Sequence, residues 1–219
     1  MSKNEISNIY DFGPTSKQKP QSLVILLHGL GSNGRDLISL APLWAKELPD
    51  TVFVSPDAPF ACDMVPPGYP DSYQWFSLQN RDSHIVKRGV ETAAPILQGF
   101  IEQQAQHYGL EPSKVALVGF SQGTMMSLYT APRYAKGALA GVLGFSGALV
   151  GEPGATKMPV CLIHGEADDV VPISAYHHAK GELQAAGYQI SGHTTAGLTH
   201  SIDEKGILEG AKFLKEILY

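Results

Sequence analysis

Short apolar runs recur along this chain at lengths typical of β-strands. Five of them predict buried strands, at residues 23–27, 51–55, 115–118, 138–143 and 160–163, and a weak alternation predicts an outer strand at 188–194. Because the five runs are almost continuously apolar, they are typical of parallel strands that are covered on both faces.

Amphipathic patterns of helical period lie between those runs. They predict helices at residues 36–48, 82–108, 124–134, 173–186 and 202–218, with a kink at Pro95 in the second of them. The alternation of strand and helix predicts an α/β fold, with a mostly parallel sheet and helices on both faces. In such a sheet, ligands bind at the carboxyl ends of the strands. Residues 56–80 show no period and predict a long surface loop, which is often a functional element.

The composition narrows the class of protein. A chain of 219 residues, 43% of them hydrophobic, predicts one domain over residues 1–219, with a polar N-terminal segment at 1–20. A formal net charge of -5 without a dense basic run argues against a nucleic-acid partner. The N-terminus lacks the apolar core of a signal peptide and no run is long enough to cross a membrane, so we predict a cytoplasmic protein without integral membrane association.

The pentapeptide Gly119-Phe120-Ser121-Gln122-Gly123 lies between a predicted strand and a predicted helix. This is the setting of a G-x-S-x-G nucleophile elbow, in which small residues flank a serine on a strained turn. The hydroxyl of Ser121 then projects alone, and the backbone N–H of Gln122 can face an oxyanion at the start of the helix. The sequence therefore predicts Ser121 as a catalytic nucleophile.

A second Gly-Phe-Ser sequence, at residues 144–146, also follows an apolar run. It lacks the second spaced glycine, and the Gly- and Pro-rich residues after it do not favour a helix. We therefore interpret Ser146 as a serine at the end of a strand.

A serine nucleophile requires a histidine base and a carboxylate that orients the histidine. In sheets with this elbow the chain order is serine, acid, histidine. His200 lies in a loop after the last predicted strand and is the expected base. Asp168 and Asp169 both follow the strand at 160–163, and their spacing alone does not choose between them.

The second oxyanion donor is expected from a loop after an early strand. The segment His28-Gly29-Leu30-Gly31 ends the first predicted strand, and we expect the backbone N–H of Leu30 to be that donor. The same region allows an alternative, a dinucleotide-binding oxidoreductase. Gly29-x-Gly31-x-x-Gly34 follows a strand, and Asp57 follows the next strand. That alternative assigns no functional role to Ser121 and His200.

Taken together, these motifs resemble the acyl-protein thioesterase and carboxylesterase family, the phospholipase/carboxylesterase branch of the α/β-hydrolases. The matching segments are Leu27-His28-Gly29-Leu30-Gly31, Pro56-Asp57-Ala58-Pro59, Trp75-Phe76, Gly119-Phe120-Ser121-Gln122-Gly123, His164-Gly165-x-x-Asp168 and Gly197-x-x-His200-Ser201. The resemblance implies an α/β-hydrolase fold without a large cap domain, and it favours Asp168 over Asp169. It also implies oxyanion donors on Leu30 and Gln122.

The resemblance further implies that Trp75 and Phe76 lie beside the acyl site as pocket residues. The alternative is that this aromatic pair anchors the long loop. In one respect the chain departs from the family pattern, because Thr124 stands where a further glycine is common after the elbow. Substrate choice is expected to depend on residues 63–72, the part of the chain to which the resemblance transfers least.

The predicted function is hydrolysis of carboxylic esters or thioesters through an acyl-enzyme intermediate on Ser121. The expected substrates are small acyl esters or thioesters, extending by resemblance to lipids or lipidated proteins. No metal or organic cofactor is implied. A non-catalytic protein that uses the α/β-hydrolase fold for binding is the second alternative, although such proteins typically lose a triad member.

Overall fold

The computed structural model describes residues 6, 8–66 and 68–219. Its strands are β1 (Ile9–Phe12), β2 (Ser22–Leu27), β3 (Thr51–Pro56), β4 (Phe60–Ala61), β5 (Tyr73–Gln74), β6 (Val115–Phe120), β7 (Gly141–Phe145), β8 (Val160–Gly165) and β9 (Ile190–Thr195). Its helices are α1 (Gly34–Ile38), α2 (Ala41–Trp44), α3 (Ser83–Tyr108), α4 (Gln122–Thr130), α5 (Ile173–Ala185) and α6 (Glu204–Leu218).

Seven strands form the main sheet, in the order β1-β3-β2-β6-β7-β8-β9. Only the pairing of β1 with β3 is antiparallel, so the sheet is mostly parallel, as the apolar runs predict. Because β6, β7 and β8 are neighbours in the middle of this order, the loops after them meet at one edge of the sheet.

The two faces of the sheet carry separate hydrophobic clusters. Alternate residues of β2 point to opposite faces, so Leu23 and Ile25 belong to one cluster and Val24 and Leu26 to the other. Helices α3, α4 and α5 cover the first cluster, whereas α1, α2 and α6 cover the second. The strands buried on both sides form the rigid base from which the site loops project.

Three local predictions differ from the structure. The polar N-terminal segment contains β1, an edge strand whose residues are only half buried or exposed and therefore carry no apolar run. The helix predicted at 36–48 is two short helices, because Pro42 has no backbone N–H to continue the first one. The loop at 56–80 contains the hairpin of β4 and β5.

Other predicted elements lie within a few residues of the observed ones, and α3 continues through Pro95. Residues 1–5 and 7 of the polar segment and Pro67 of the proline-rich loop lie outside the described residues. The assignment of residues 1–219 to one domain stays a prediction.

Candidate active site

The turn at Ser121 joins β6 to α4 with no intervening loop. Ser121 has φ 53° and ψ -113°, a conformation that L-residues rarely adopt, and α4 begins at the next residue. A Cβ on Gly123 would lie 1.8 Å from the Leu27 carbonyl oxygen, and one on Gly119 would lie 2.3 Å from the Thr124 nitrogen. The two glycines are therefore required by close contact between the turn, the neighbouring strand and the helix.

The carboxylate of Asp168 is held from several directions just after β8. Its Oδ1 accepts hydrogen bonds from the backbone N–H groups of Val170 (2.9 Å) and Val171 (2.8 Å). Its Oδ2 accepts one of 2.7 Å from Nδ1 of His200, in the loop between β9 and α6. Burial would raise the pKa of Asp168, but these bonds from His200, Val171 and Val170 outweigh it and hold that pKa below its usual value. Asp169, by contrast, is exposed.

A second histidine lies on the other side of the same carboxylate. His164, in β8, is buried, and its Nε2 donates to the Val171 carbonyl oxygen at 2.8 Å. The same nitrogen is 3.4 Å from Oδ2 of Asp168. His164 thus fixes the turn that supplies the N–H groups to Asp168. The sequence shows His164 beside the acid loop, but only the structure shows this contact.

Ser121 and His200 line one pocket, with a volume of about 490 Å³. The Phe120 ring packs against the His200 ring at a centroid distance of 4.9 Å. No hydrogen bond between the Ser121 hydroxyl and His200 is present among the described residues. Such bonds are often long or misaligned without substrate and tighten when substrate is bound.

The loop after β2 reaches the same pocket at Leu30. It is held in place by Gly31, whose N–H donates to the Tyr73 carbonyl (2.8 Å) and whose carbonyl accepts from the Ser72 hydroxyl (2.9 Å). Among the hydrogen bonds of the described chain, none uses the backbone N–H of Leu30 or of Gln122. Both groups are therefore available to a bound oxygen atom.

Trp75 and Phe76 do not line this pocket. Their side chains are buried, with 0% and 3% of their surface exposed. Their backbone instead pairs with the side chain of Gln122, which accepts from the Trp75 N–H at 2.9 Å and donates to the Phe76 carbonyl at 2.8 Å. The indole N–H of Trp75 donates to the His28 carbonyl at 3.0 Å. The aromatic pair therefore ties the long loop to both the elbow and the loop of Leu30.

His28 holds the Leu30 loop in place through two hydrogen bonds of its ring. Its Nδ1 donates to the Gly29 carbonyl oxygen at 2.7 Å, and its Nε2 accepts from the Ala58 N–H at 2.9 Å. Burial lowers the pKa of His28, which keeps the ring neutral and its Nε2 free to accept. His28 thus has a structural role, because it joins the Leu30 loop to the segment after β3.

The carboxylate of Asp57 is used inside the protein. It accepts hydrogen bonds of 2.8 Å from the Gly34 N–H and from the Asn8 side chain, and it is buried. A Cβ on Gly34 would lie 2.5 Å from the Ser55 carbonyl oxygen, so this glycine allows close packing of α1 on β3. Asp57 and Gly34, which suggested a dinucleotide site, therefore have structural roles inside the protein.

The described residues contain neither a cluster of metal ligands nor a membrane-spanning helix. No group of three or more His, Cys, Asp or Glu side chains in this part of the chain is arranged to hold a metal ion. Among the same residues, no helix has the length and apolar character needed to cross a membrane. Cys62 and Cys161 are both buried, and both are free cysteines that form no disulfide with each other.

The sheet order, the elbow after β6 and the acid and histidine loops define an α/β-hydrolase fold, as predicted. The chain belongs to the phospholipase/carboxylesterase family, whose model matches residues 14–218. The crystal structure of esterase PE8 shares 40% identity over 95% of this chain and 98% of that chain, with a TM-score of 0.87. The family inferred from the motifs is thus confirmed, and with it the class of ester hydrolases.

Curated relatives agree with this assignment. Esterase YpfH of Escherichia coli (strain K12) is 29% identical over 88% of this chain and 82% of its own length. An acyl-protein thioesterase 1 of Gibberella zeae is 28% identical over 89% of this chain and 90% of its own length. The relatives thus include proteins named for either of the two bond types, esters and thioesters.

Proposed function

We propose that this protein hydrolyses carboxylic esters or thioesters through an acyl-enzyme formed on Ser121. The observation that carries the proposal is the 2.7 Å hydrogen bond between Asp168 and His200 beside the pocket that Ser121 lines. That bond requires the proton on Nδ1, which leaves Nε2 of the neutral ring as a base. Family membership supports the same assignment.

In the first half-reaction Nε2 of His200 takes the hydroxyl proton as the Ser121 Oγ bonds to the substrate carbonyl carbon. The backbone N–H groups of Leu30 and Gln122 stabilise the oxyanion that forms. The imidazolium then gives its proton to the leaving alcohol or thiol as the bond from carbon to that group breaks. Water attacks the acyl-enzyme by the same path and releases the acid and free Ser121.

The pocket supports an acyl chain of modest length as the substrate group. Its wall is mostly aliphatic, and a pocket of about 490 Å³ is in the range that holds a small molecule. Lipids and lipidated proteins remain part of the proposal through the thioesterase relatives. The cytoplasmic location stays a prediction.

A fluorophosphonate probe tests the proposal directly, because it labels a serine only when a neighbouring base activates the hydroxyl. We expect labelling of the wild type at Ser121, located by mass spectrometry of the labelled peptide. Ser121→Ala should abolish labelling, and the matched control Ser146→Ala should retain it. An unlabelled but folded wild type would instead support the non-catalytic binding protein.

The bond type requires a separate measurement. Hydrolysis rates for an oxygen ester and a thioester of the same acyl group, such as butyrate, compare the two leaving atoms alone. Repeating the pair with longer acyl groups then gives the chain length at which the pocket wall limits kcat/KM.

A further inference from the structure

The pocket at Ser121 contains one unusual side chain, that of Arg81. Its described wall is otherwise formed by aliphatic and aromatic residues, two histidines, serines and small residues. Arg81 is thus the only permanently charged side chain among the described lining residues, and none of them carries a carboxylate. A cation in the wall of an acyl pocket has no role in the chemistry proposed for Ser121.

Arg81 makes no ion pair with the described residues of the protein. It is exposed. The adjacent carboxylate, Asp82, caps α3 and accepts the His84 N–H at 2.9 Å. The guanidinium is therefore free to bind an external anion, at the low desolvation cost of an exposed group.

Positively and negatively charged side chains lie near the pocket, outside its lining. Lys87 lies beside the pocket, with Cε 3.6 Å from the position of a Cβ on the lining residue Gly151. Asp36 also lies outside the lining and accepts the hydroxyl hydrogen bond of Ser32 at 2.7 Å. Lys87 pairs with Glu91 at 3.9 Å, so Arg81 is the charged side chain that lines the ligand space.

Much of the remaining lining of the pocket is apolar. Leu78, Val86, Met125, Leu149 and Val150 all line it. A ligand that complements both the apolar lining and Arg81 has an apolar segment and, beyond it, a negatively charged group. Carboxylate and phosphate match the planar fork of an arginine, which can donate two parallel hydrogen bonds to either.

We propose that Arg81 makes this enzyme selective for esters or thioesters that carry a carboxylate or phosphate group in addition to the scissile bond. The proposal rests on the hydrolase function assigned to Ser121. It concerns which substrates are preferred, and neutral esters remain substrates. The anionic group can belong to the acyl part or to the leaving group, and the two cases are separated by experiment.

Two matched substrate pairs provide the test. For the acyl side, mono-para-nitrophenyl adipate is compared with para-nitrophenyl hexanoate, which has the same chain length and leaving group. For the leaving group, para-carboxyphenyl butyrate is compared with para-carbamoylphenyl butyrate. In each pair, the ratio of kcat/KM for the anionic to the neutral ester is compared between wild type and variants, so that intrinsic reactivity cancels.

We expect Arg81→Gln to lower that ratio by about fivefold to tenfold in at least one pair, as for a partly screened charge-assisted contact. A general effect of the substitution on the pocket changes kcat/KM for both esters of a pair and therefore cancels in the ratio. Arg81→Lys should retain part of the preference, and added salt should weaken the preference of the wild type. A change in the adipate pair places the anion on the acyl side, and a change in the butyrate pair places it on the leaving group.

Arg88→Gln is the control, because Arg88 is a nearby exposed arginine, in α3, that lines a different groove, with Phe76 and Ile85. Unchanged ratios for Arg81→Gln in both pairs, or an equal loss in Arg88→Gln, would overturn the proposal. The test is separable from the proposed function, since neutral-ester turnover and fluorophosphonate labelling report Ser121 chemistry whatever the residue at position 81.

Discussion

Two Gly-Phe-Ser turns end neighbouring strands of the sheet, at Ser121 and Ser146, and their backbones are closely similar. In the register of β6 and β7, Gly119 pairs with Gly144 and Phe120 with Phe145. Both serines have positive φ, 53° and 48°, and both are buried. Each N–H donates at 2.9 Å to a carbonyl of the next strand, that of Phe145 for Ser121 and that of Ile163 for Ser146.

The two turns differ in the elements that they lead into and in their surroundings. Ser121 leads at once into α4 and opens to the pocket shared with His200, whereas Ser146 leads into a loop without a helix. The hydroxyl of Ser146 has no hydrogen-bond partner among the described residues. The strained backbone of these two serines therefore follows from their position at the ends of sheet strands, and strain alone does not make a serine reactive. A helix start, a base and an open pocket are needed before such a serine can react.

Thr124 connects the two turns. Its hydroxyl lies 2.8 Å from the carbonyl oxygens of both Gly119 and Phe145. A Cβ on Gly147 would lie 2.3 Å from the Thr124 Cβ, and one on Gly144 would lie 2.6 Å from its Cγ2. The threonine that departs from the family pattern thus occupies space that the glycines of the second turn leave open.

The largest expected difference between the turns is in catalysis. Ser121→Ala should lower kcat by on the order of a million-fold, since loss of a triad nucleophile leaves only binding and oxyanion effects. Ser146→Ala should leave kcat within a few-fold of wild type. Steady-state ester hydrolysis by both purified variants, with circular dichroism to verify folding, measures the contrast. Substantial turnover by Ser121→Ala would assign the nucleophile elsewhere.

The next contrast is between the two aspartates of the acid loop. Asp168→Asn should lower kcat by roughly ten-thousand-fold, because His200 then loses the acceptor that selects its tautomer. Asp169→Asn removes an exposed carboxylate outside this network and should have a small effect. Parallel kcat measurements decide between them, and a larger loss in Asp169→Asn would show that the wrong aspartate has been chosen.

A packing variant tests the connection through Thr124. Gly147→Ala should lower the free energy of unfolding by about 1–3 kcal/mol, because the new methyl group overlaps Thr124. Adding Thr124→Gly to that variant removes the overlap with Thr124 and leaves a 2.9 Å contact with the Ser121 carbonyl oxygen. We therefore expect the double variant to be more stable than the sum of the two single changes predicts. Urea unfolding of all four proteins gives the coupling energy. Strict additivity would mean that the two positions do not compete for space.

The smallest expected effect concerns the strain in the second turn alone. Ser146→Gly should raise the free energy of unfolding by about 1 kcal/mol, since glycine adopts positive φ without steric cost and the unpartnered hydroxyl is removed. Activity should be unchanged. If urea unfolding shows lower stability instead, the Ser146 hydroxyl makes a contact, for example with a buried water, that outweighs the strain.

The sequence predicted those parts of the fold and site that are encoded locally or by chain order. The apolar run at 115–118 and the helix after it are enough to recognise the turn at Ser121. The order of strands brings Asp168 and His200 to one edge of the sheet. By contrast, β1 carries no apolar run because its residues are half exposed on an edge strand. The internal role of Trp75 depends on Gln122, which is 47 residues away in the chain, and no local pattern indicates that contact.

The neutral state of His28 makes the Leu30 loop sensitive to acid. Its pKa is lowered by burial, whereas an imidazole in the unfolded chain has a pKa of about 6.5. Below that pH the unfolded chain binds a proton that folded His28 does not, so the free energy of unfolding falls as pH decreases, until the folded pKa is reached. Between about pH 7.5 and 5.5, we expect His28→Asn to show a shallower loss of stability than wild type when urea unfolding is measured at each pH. A histidine whose ring hydrogen bonds are both made inside the protein would then help to set the lowest pH at which the enzyme stays folded.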